Sequence, residues 1–367
     1  MTTTFGKARP TSHSYFSHGL KLHFLDWGNE SSTPVLLIHG MQDHCHNWDW
    51  TSEALCDDYH ILTPDLRGHG DSDWSKGSSY SNLDYVYDIA QLVEQQELDS
   101  VHLVGHSLGG TIASLYAGLF PERVASLVSI EGVGGFWWQE KSNMPAQKRI
   151  RDWFDATRQQ AGRTPRRYES LAAAFARMQE SNPHLSTERA QHLTIHGSNK
   201  NEDGTYSWKF DNYTHTGMIS NFSYEDMIQI WTAVTCPVLL INATEGFEHR
   251  IGHDGSHAYF SNHTIETIPD AGHWLHHDQF ARCLELITSF LKQHAPIDIT
   301  RAARREASPT KVTCLSPIKG NQKLWLEDSK HLFKGDHLAT IGRRRHKDWS
   351  FNTSIEPGFY AIANLSR

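Results

Sequence analysis

Three segments far apart in the chain carry the side chains that acyl transfer requires. Gly105-His106-Ser107-Leu108-Gly109-Gly110 follows the apolar run Val101-His102-Leu103-Val104 and precedes a helix-forming stretch, Thr111 to Phe120. That pattern is strand, sharp turn, helix, with a serine at the apex. Glycine on either side leaves no Cβ where strand and helix crowd the turn, so Ser107 Oγ is expected to stand exposed on strained backbone. A nucleophilic serine needs an imidazole to take its proton and a carboxylate to orient that imidazole, in the chain order serine, acid, histidine. Ala271-Gly272-His273-Trp274 follows a short alternating strand and precedes an apolar-periodic helix from about Asp278 to Gln293. Position singles out His273 among 25 histidines, because a loop beyond a strand end suits a mobile general base. His276 and His277 would fall at the start of the next helix and are expected to face solvent.

Acyl chemistry also needs backbone N–H groups converging on one oxygen. Val35-Leu36-Leu37-Ile38 reads as a buried parallel strand, and His39-Gly40-Met41 follows at once. The peptide N–H groups of Met41 and Leu108 are the candidates. Leu108 also opens a helix, whose dipole favours negative charge there.

These motifs, with Asp65-Leu66-Arg67-Gly68-His69-Gly70-Asp71-Ser72 and Phe120-Pro121-Glu122-Arg123-Val124, resemble those of α/β-hydrolase-fold enzymes over roughly residues 12 to 294. The resemblance implies a hydrolase, although the fold hosts many chemistries. It leaves the acid open. Most relatives carry Gly-x-x-Asp after the penultimate strand, here Pro237 to Asn242, but this chain reads Ala243-Thr244-Glu245-Gly246, with Gly246 about where that Asp would stand. Glu245 is one candidate. Glu131 is the other: it ends the strand Ala125 to Ile130, where dehalogenase-like and luciferase-like members place a catalytic glutamate, and an unpaired carboxylate there would be costly to bury.

The positioning elements follow from the pattern. Ser14–Ser17 and Lys21–Trp27 read as an opening hairpin. Strands then recur at 35–39, 60–63, 101–105 and 125–130, alternating with helices such as Leu83 to Gln96. Such alternation predicts an α/β fold, a mostly parallel doubly wound sheet with helices on both faces. The expected core spans 12–131 and 236–294. Residues 132–235 lose the strand periodicity and are expected to form a helical cap inserted after the sixth strand, with most of its aromatics in a small core of its own. Phe136 and Trp137 are expected to face the substrate pocket. The arginines at 163, 166 and 167 read either as a carboxylate-binding group or as a solvated turn.

Residues 295–367 change character: positions 301–367 carry net charge +7 and positions 1–300 carry −15. This basic extension, with Arg343-Arg344-Arg345-His346-Lys347, is expected to be a loose tail on the acidic body rather than a nucleic-acid-binding arm. No run reaches the ~18 apolar residues of a membrane span, and the first residues lack the apolar core of a secretory leader. Five cysteines, odd in number and without paired spacing, point to reduced thiols in a cytoplasm. His44-Cys45-His46 has metal-ligand residue types, but no second cluster in the sequence completes a site. No metal or other cofactor is expected, and the trio is assigned to a loop over the pocket mouth. The resulting expectation is a serine hydrolase that cleaves an ester or related acyl bond of a small, largely hydrophobic substrate. The alternatives are hydrolysis of a carbon–carbon bond in a diketone-like substrate, and a non-catalytic ligand receptor on the same fold. Aspartate-nucleophile dehalogenase or epoxide hydrolase chemistry is disfavoured by the serine.

Overall fold

The computed structural model describes residues 10–77, 80–161, 163–216 and 223–294, apart from the side chains of Trp137 and His215. The basic extension from 295, with Cys314 and the run Arg343–Lys347, lies outside the described residues.

The opening hairpin pairs β1 (Thr11–Ser17) with β2 (Leu20–Asp26) around His18-Gly19, both at positive φ. The parallel strands follow: β3 (Pro34–Ile38), β4 (His60–Pro64), β5 (Val101–His106), β6 (Val124–Ile130), β9 (Val238–Ala243) and β10 (His263–Ile268). The eight strands are ordered β1-β2-β4-β3-β5-β6-β9-β10. Within this sheet, β1–β2 and β2–β4 pair antiparallel and the other pairings are parallel.

Helices cover both faces, so central strands such as β5 and β9 are buried along their whole length. The helices are α1 (Asp49–Leu55), α2 (Asn82–Gln95), α3 (Leu108–Leu119), α4 (Gly135–Asn143), α5 (Ala146–Gln160), α6 (Leu171–Ser181), α7 (Thr187–Gly197), α8 (Tyr224–Thr232), α9 (Leu275–Asp278) and α10 (Phe280–Gln293). One apolar core, on the α2, α3 and α8 side, includes Leu36, Leu103, Ile112, Ile89 and Trp231. The other, on the α1 and α10 side, includes Leu37, Val104, Trp48, Ile287 and Leu291.

Parallel register sets the site. Ile38 lies opposite Gly105, His106 opposite Ile130, Ile130 opposite Ile241, and Ala243 opposite Ile268. Strands β3, β5, β6, β9 and β10 therefore end along one edge, and the loops after them carry Met41, Ser107, Glu131, Glu245 and His273. In open α/β sheets that carboxyl edge is where ligands bind.

The stretch between β6 and β9 lies outside the main sheet and is mostly helical. It contains α4 to α8 and a small antiparallel hairpin, β7 (Ser198–Lys200) with β8 (Tyr206–Trp208). Its own apolar cluster consists of Leu185, Ala190 and Leu193, with Phe175, Met178 and Trp274 packed against it. Its large aromatics Trp138 and Trp231 instead join the core of the main sheet. Trp231 donates its indole N–H to Ser114 Oγ of α3 at 3.2 Å. Packing overrides the segment boundary here, because a buried indole gains most where a large apolar surface already exists. Among the described residues, no helix is long and apolar enough to cross a membrane.

Candidate active site

Ser107 sits at the turn between β5 and α3 with φ 52° and ψ −116°. A non-glycine residue held at such angles stores strain, which the surrounding packing must maintain. Here the Ser107 N–H donates to Ile130 O at 2.8 Å, and a Cβ on Gly105 would strike the Gly109 backbone. The strand, turn and helix are thus locked together, and Ser107 is buried rather than standing exposed as the motif predicts.

Glu131 is another non-glycine residue at positive φ on this edge, at 53°. It is buried, and its carboxylate draws donors from three directions. Oε1 accepts from Ala243 N at 2.7 Å, and Arg250 Nε lies 3.0 Å away as an ion pair. Oε2 accepts from Phe247 N at 3.1 Å and from His273 Nδ1 at 3.4 Å. Arg250, itself buried, is held by the carbonyls of Ala243 and Phe247. Gly246 makes room for this arrangement, since a Cβ on it would collide with the Glu131 carboxylate.

His273 stands in the turn before α9. His106, beside the serine, donates Nε2–H to the His273 carbonyl at 2.8 Å, and the two rings lie 4.7 Å apart. Phe247 covers the other side of the His273 ring at 3.9 Å. Burial first, and then the neighbouring His273, push the His106 imidazole well below the usual histidine range, which keeps it neutral. Across the site, a Cβ on Gly40 would lie 3.2 Å from Ser107 Cβ. The loop bearing the Met41 N–H therefore abuts the nucleophile turn, opposite the first N–H of α3 at Leu108.

The structure brings Ser107, Glu131, His273 and the loop of Met41 together, but not every expected residue. Glu245 points elsewhere: its carboxylate is half exposed and lies 3.3 Å from His184 Nε2. Its backbone N–H donates to Ala271 O. Among the described contacts, His273 meets Glu131 and Glu245 meets His184. Phe136 likewise makes its described contacts elsewhere. It is exposed, stacks on His249 at 4.7 Å, and is tied through its N–H to Asp254. Trp137 follows it in α4, with its side chain outside the described residues. A cavity of about 470 Å³ lies instead against Met41 and Trp274, lined also by Tyr168, Met178, Phe210 and Arg166.

His276 and His277 are buried rather than solvent-facing, because α9 packs inward. His276 donates to Asn47 Oδ1 at 2.6 Å, and Arg189 donates to His277 Nδ1 at 2.9 Å. His44 and Cys45 are buried as well, not spread over a pocket mouth. His44 Nε2 donates to Leu193 O, and Cys45 N donates to Asp65. Asp65 anchors this loop by accepting from His23 at 2.7 Å and from Asp71 N at 3.0 Å. Despite its burial, His23 and these bonds hold the Asp65 carboxyl well below the usual range. Arg67 braces the same loop by a buried pair to Asp88 at 2.6 and 2.7 Å.

Arg250 and His106 were not picked out by residue pattern. Arg250 lies in a loop of mixed polarity with no motif, and its role follows only from the position of Glu131. A signal did exist at Gly246. A glycine at the usual position of the acid, together with a glutamate ending β6, is a complementary pair of departures.

Residues 14–280 match the sequence profile of the alpha/beta hydrolase fold. The chain is similar to a serine hydrolase-like protein of Danio rerio, 27% identical over 223 residues that span 60% of this chain and 68% of that one. It is also similar to serine hydrolase-like protein 2 of Homo sapiens, 27% identical over 230 residues, 60% of this chain and 71% of the other. Among solved structures, a thioesterase domain from the curacin biosynthetic pathway superposes with a TM-score of 0.66. It covers 76% of this chain and 99% of its own at 21% identity, a likeness of fold.

Proposed function

This chain belongs to the α/β-hydrolase fold family, and from that premise we propose that it is a serine hydrolase cleaving an ester or related acyl bond through an acyl-enzyme. The family match and the serine hydrolase-like relatives support a hydrolase. The observation that carries the finer reading is the Glu131–His273 pair beside the Ser107 turn. In this reading His273 Nε2 takes the proton of Ser107 Oγ as it attacks the carbonyl, and the N–H groups of Met41 and Leu108 receive the oxyanion. Glu131 fixes the imidazole with its N–H on Nδ1 and stabilises the imidazolium. The 3.4 Å separation shortens as that charge forms, since catalytic hydrogen bonds tighten in the reacting complex.

The stretch between β6 and β9 serves as the cap. Together with Met41 and Trp274 it lines a half-open cavity of about 470 Å³, within the range that holds a small substrate. Tyr168, Met178, Trp208 and Phe210 suit a hydrophobic acyl or alcohol part, with Arg166, Arg177 and Asn182 at hand for a polar end. The free, buried thiols of Cys45, Cys56, Cys236 and Cys283 support a reducing compartment such as the cytoplasm.

The test is labelling with a fluorophosphonate probe together with turnover of a series of p-nitrophenyl esters. Label on Ser107, lost together with nearly all turnover in Ser107→Ala, is the expected outcome. Label mapped to another serine, or a folded wild-type protein that neither labels nor turns over any ester, overturns the reading and favours a ligand receptor.

A further inference from the structure

We propose that His46, Asp49, His192 and His196 form a binding site for one divalent transition-metal ion of the zinc type, joining the loop after β3 to helix α7. The site is independent of the acyl chemistry. His46 lies in the single helical turn Cys45–Trp48, and Asp49 opens α1. His192 and His196, four residues apart on α7, share one helix face. One ligand atom from each of the four residues lies within 4.8 Å of all the others. The His46 and His196 rings stack with centroids 3.8 Å apart, and His192 and His196 approach to 4.5 Å.

Asp49 ties the group together. Its Oδ2 accepts from His46 Nδ1 at 2.8 Å and from His192 Nε2 at 2.9 Å. Its other oxygen, Oδ1, is buried and has no hydrogen-bond partner among the described residues. A buried carboxylate oxygen left without a donor is costly, and a cation bound through Oδ1 would satisfy it. The nearby trio His23, Cys45 and Asp65 also has ligand residue types in one place. There both carboxylate oxygens are taken by Cys45 N, Asp71 N and His23, so that trio reads as a closed hydrogen-bond network.

Three imidazoles and one carboxylate match the N/O preference and coordination number of four of zinc. Metal bonds of about 2.0–2.1 Å imply ligand atoms about 3.3 Å apart. Ligand atoms within 4.8 Å of one another would reach that spacing by side-chain adjustments of up to about 1.5 Å. Asp49 and His192 are buried while His46 and His196 are partly exposed, which leaves an entry path from solvent.

Sequence spacing had supplied only His44-Cys45-His46 and no second half. The fold supplies that half from a helix 143 residues further on, and His44 turns instead to the Leu193 carbonyl.

The test uses the full chain stripped with chelator and titrated with Co²⁺, followed by visible absorption, with Zn²⁺ competition and metal counting by mass spectrometry. The expected result is one equivalent of metal with the absorption of four-coordinate N/O cobalt. His46→Gln and His196→Gln, both at partly exposed positions, should each weaken binding at least 100-fold, beyond the roughly 10–100-fold that even an outer-shell loss produces. His13→Gln, in the exposed β1 strand, should bind as wild type. Circular dichroism and thermal midpoints of the metal-free variants, compared with wild type, separate lost ligands from lost fold. Zn²⁺ should raise the wild-type midpoint and leave those of the two ligand variants unmoved. Absence of stoichiometric binding by wild type, or unchanged affinity in both folded ligand variants, overturns the proposal.

Discussion

Replacing Glu131 by Gln keeps the side-chain volume but changes what its two ends can do. In the native site every neighbour of the carboxylate is a donor or a cation: Ala243 N–H and Arg250 at Oε1, Phe247 N–H and His273 Nδ1 at Oε2. Glutamine offers one acceptor oxygen and one donor NH₂. The oxygen will face Ala243 and Arg250, where the contacts are shorter and one partner is charged, so the NH₂ faces Phe247 N–H and His273 Nδ1. His273 can then avoid a donor–donor clash only by presenting the lone pair of Nδ1. That puts its proton on Nε2, where it cannot accept from Ser107. In a serine protease triad the comparable change costs about 10⁴ in kcat, and a loss of that order is expected here. Stability falls too, because Arg250 is left buried without a counter-charge. Breaking a buried pair costs about 3–5 kcal/mol, and the retained amide oxygen places this case near the low end, about 3 kcal/mol. At about 2–4 °C per kcal/mol, the thermal midpoint should drop by roughly 6–12 °C. Steady-state hydrolysis of p-nitrophenyl butyrate at 15 °C, with circular dichroism to confirm folding, separates the two effects. Glu245→Gln, half exposed and paired with His184, should stay near wild type in both measures. A folded Glu131→Gln enzyme retaining more than about a tenth of wild-type kcat would refute the tautomer argument, and the opposite ranking would move the role to Glu245.

Two further outcomes follow from the same packing. Gly246→Ala drives a methyl group into the Glu131 carboxylate. It should lower kcat by about 10²-fold, as displacements of about 1 Å in active sites do, with a smaller change in KM; wild-type kcat would show that the carboxylate has room to spare. The second outcome is acid unfolding. His39, His44, His106, His276 and His277 are buried with pKa values lowered chiefly by burial, so the folded chain leaves them neutral while the unfolded chain protonates them near 6.5. Their contribution is complete above pH 6.5 and is lost as the pH falls. At pH 5.5 each costs about 1.4 kcal/mol, together about 7 kcal/mol at most, comparable to the whole stability of a domain. Cooperative unfolding by far-ultraviolet circular dichroism between about pH 5 and 6 is expected, and an unchanged signal and urea midpoint down to pH 4.5 would contradict it.

The sequence by itself determined the sheet and the nucleophile turn. Period-two and continuous apolar runs, glycine at crowded bends, and helix-forming stretches act within a few residues, so local chemistry suffices to read β3, β5, β6 and the Ser107 turn. His273 was legible for the same reason, from a strand end followed by a helix. The choice between Glu131 and Glu245 was not legible, because both follow strands on one edge. Their directions depend on Arg250, Gly246 and the backbone donors of Ala243 and Phe247, which converge only once β6 and β9 pair. Burial of His276 and His277 likewise depends on α9 packing inward, and the interior place of Trp231 on Ser114 of α3. The four-residue cluster of His46, Asp49, His192 and His196 lies furthest from sequence reading. Its halves come from different layers of the fold, and nothing in residue spacing carries the distance between a loop after β3 and a helix beyond β6. Contacts of that range are decided by the packing of whole elements, whose energy is spread over many apolar residues and not encoded in the side chains that finally meet.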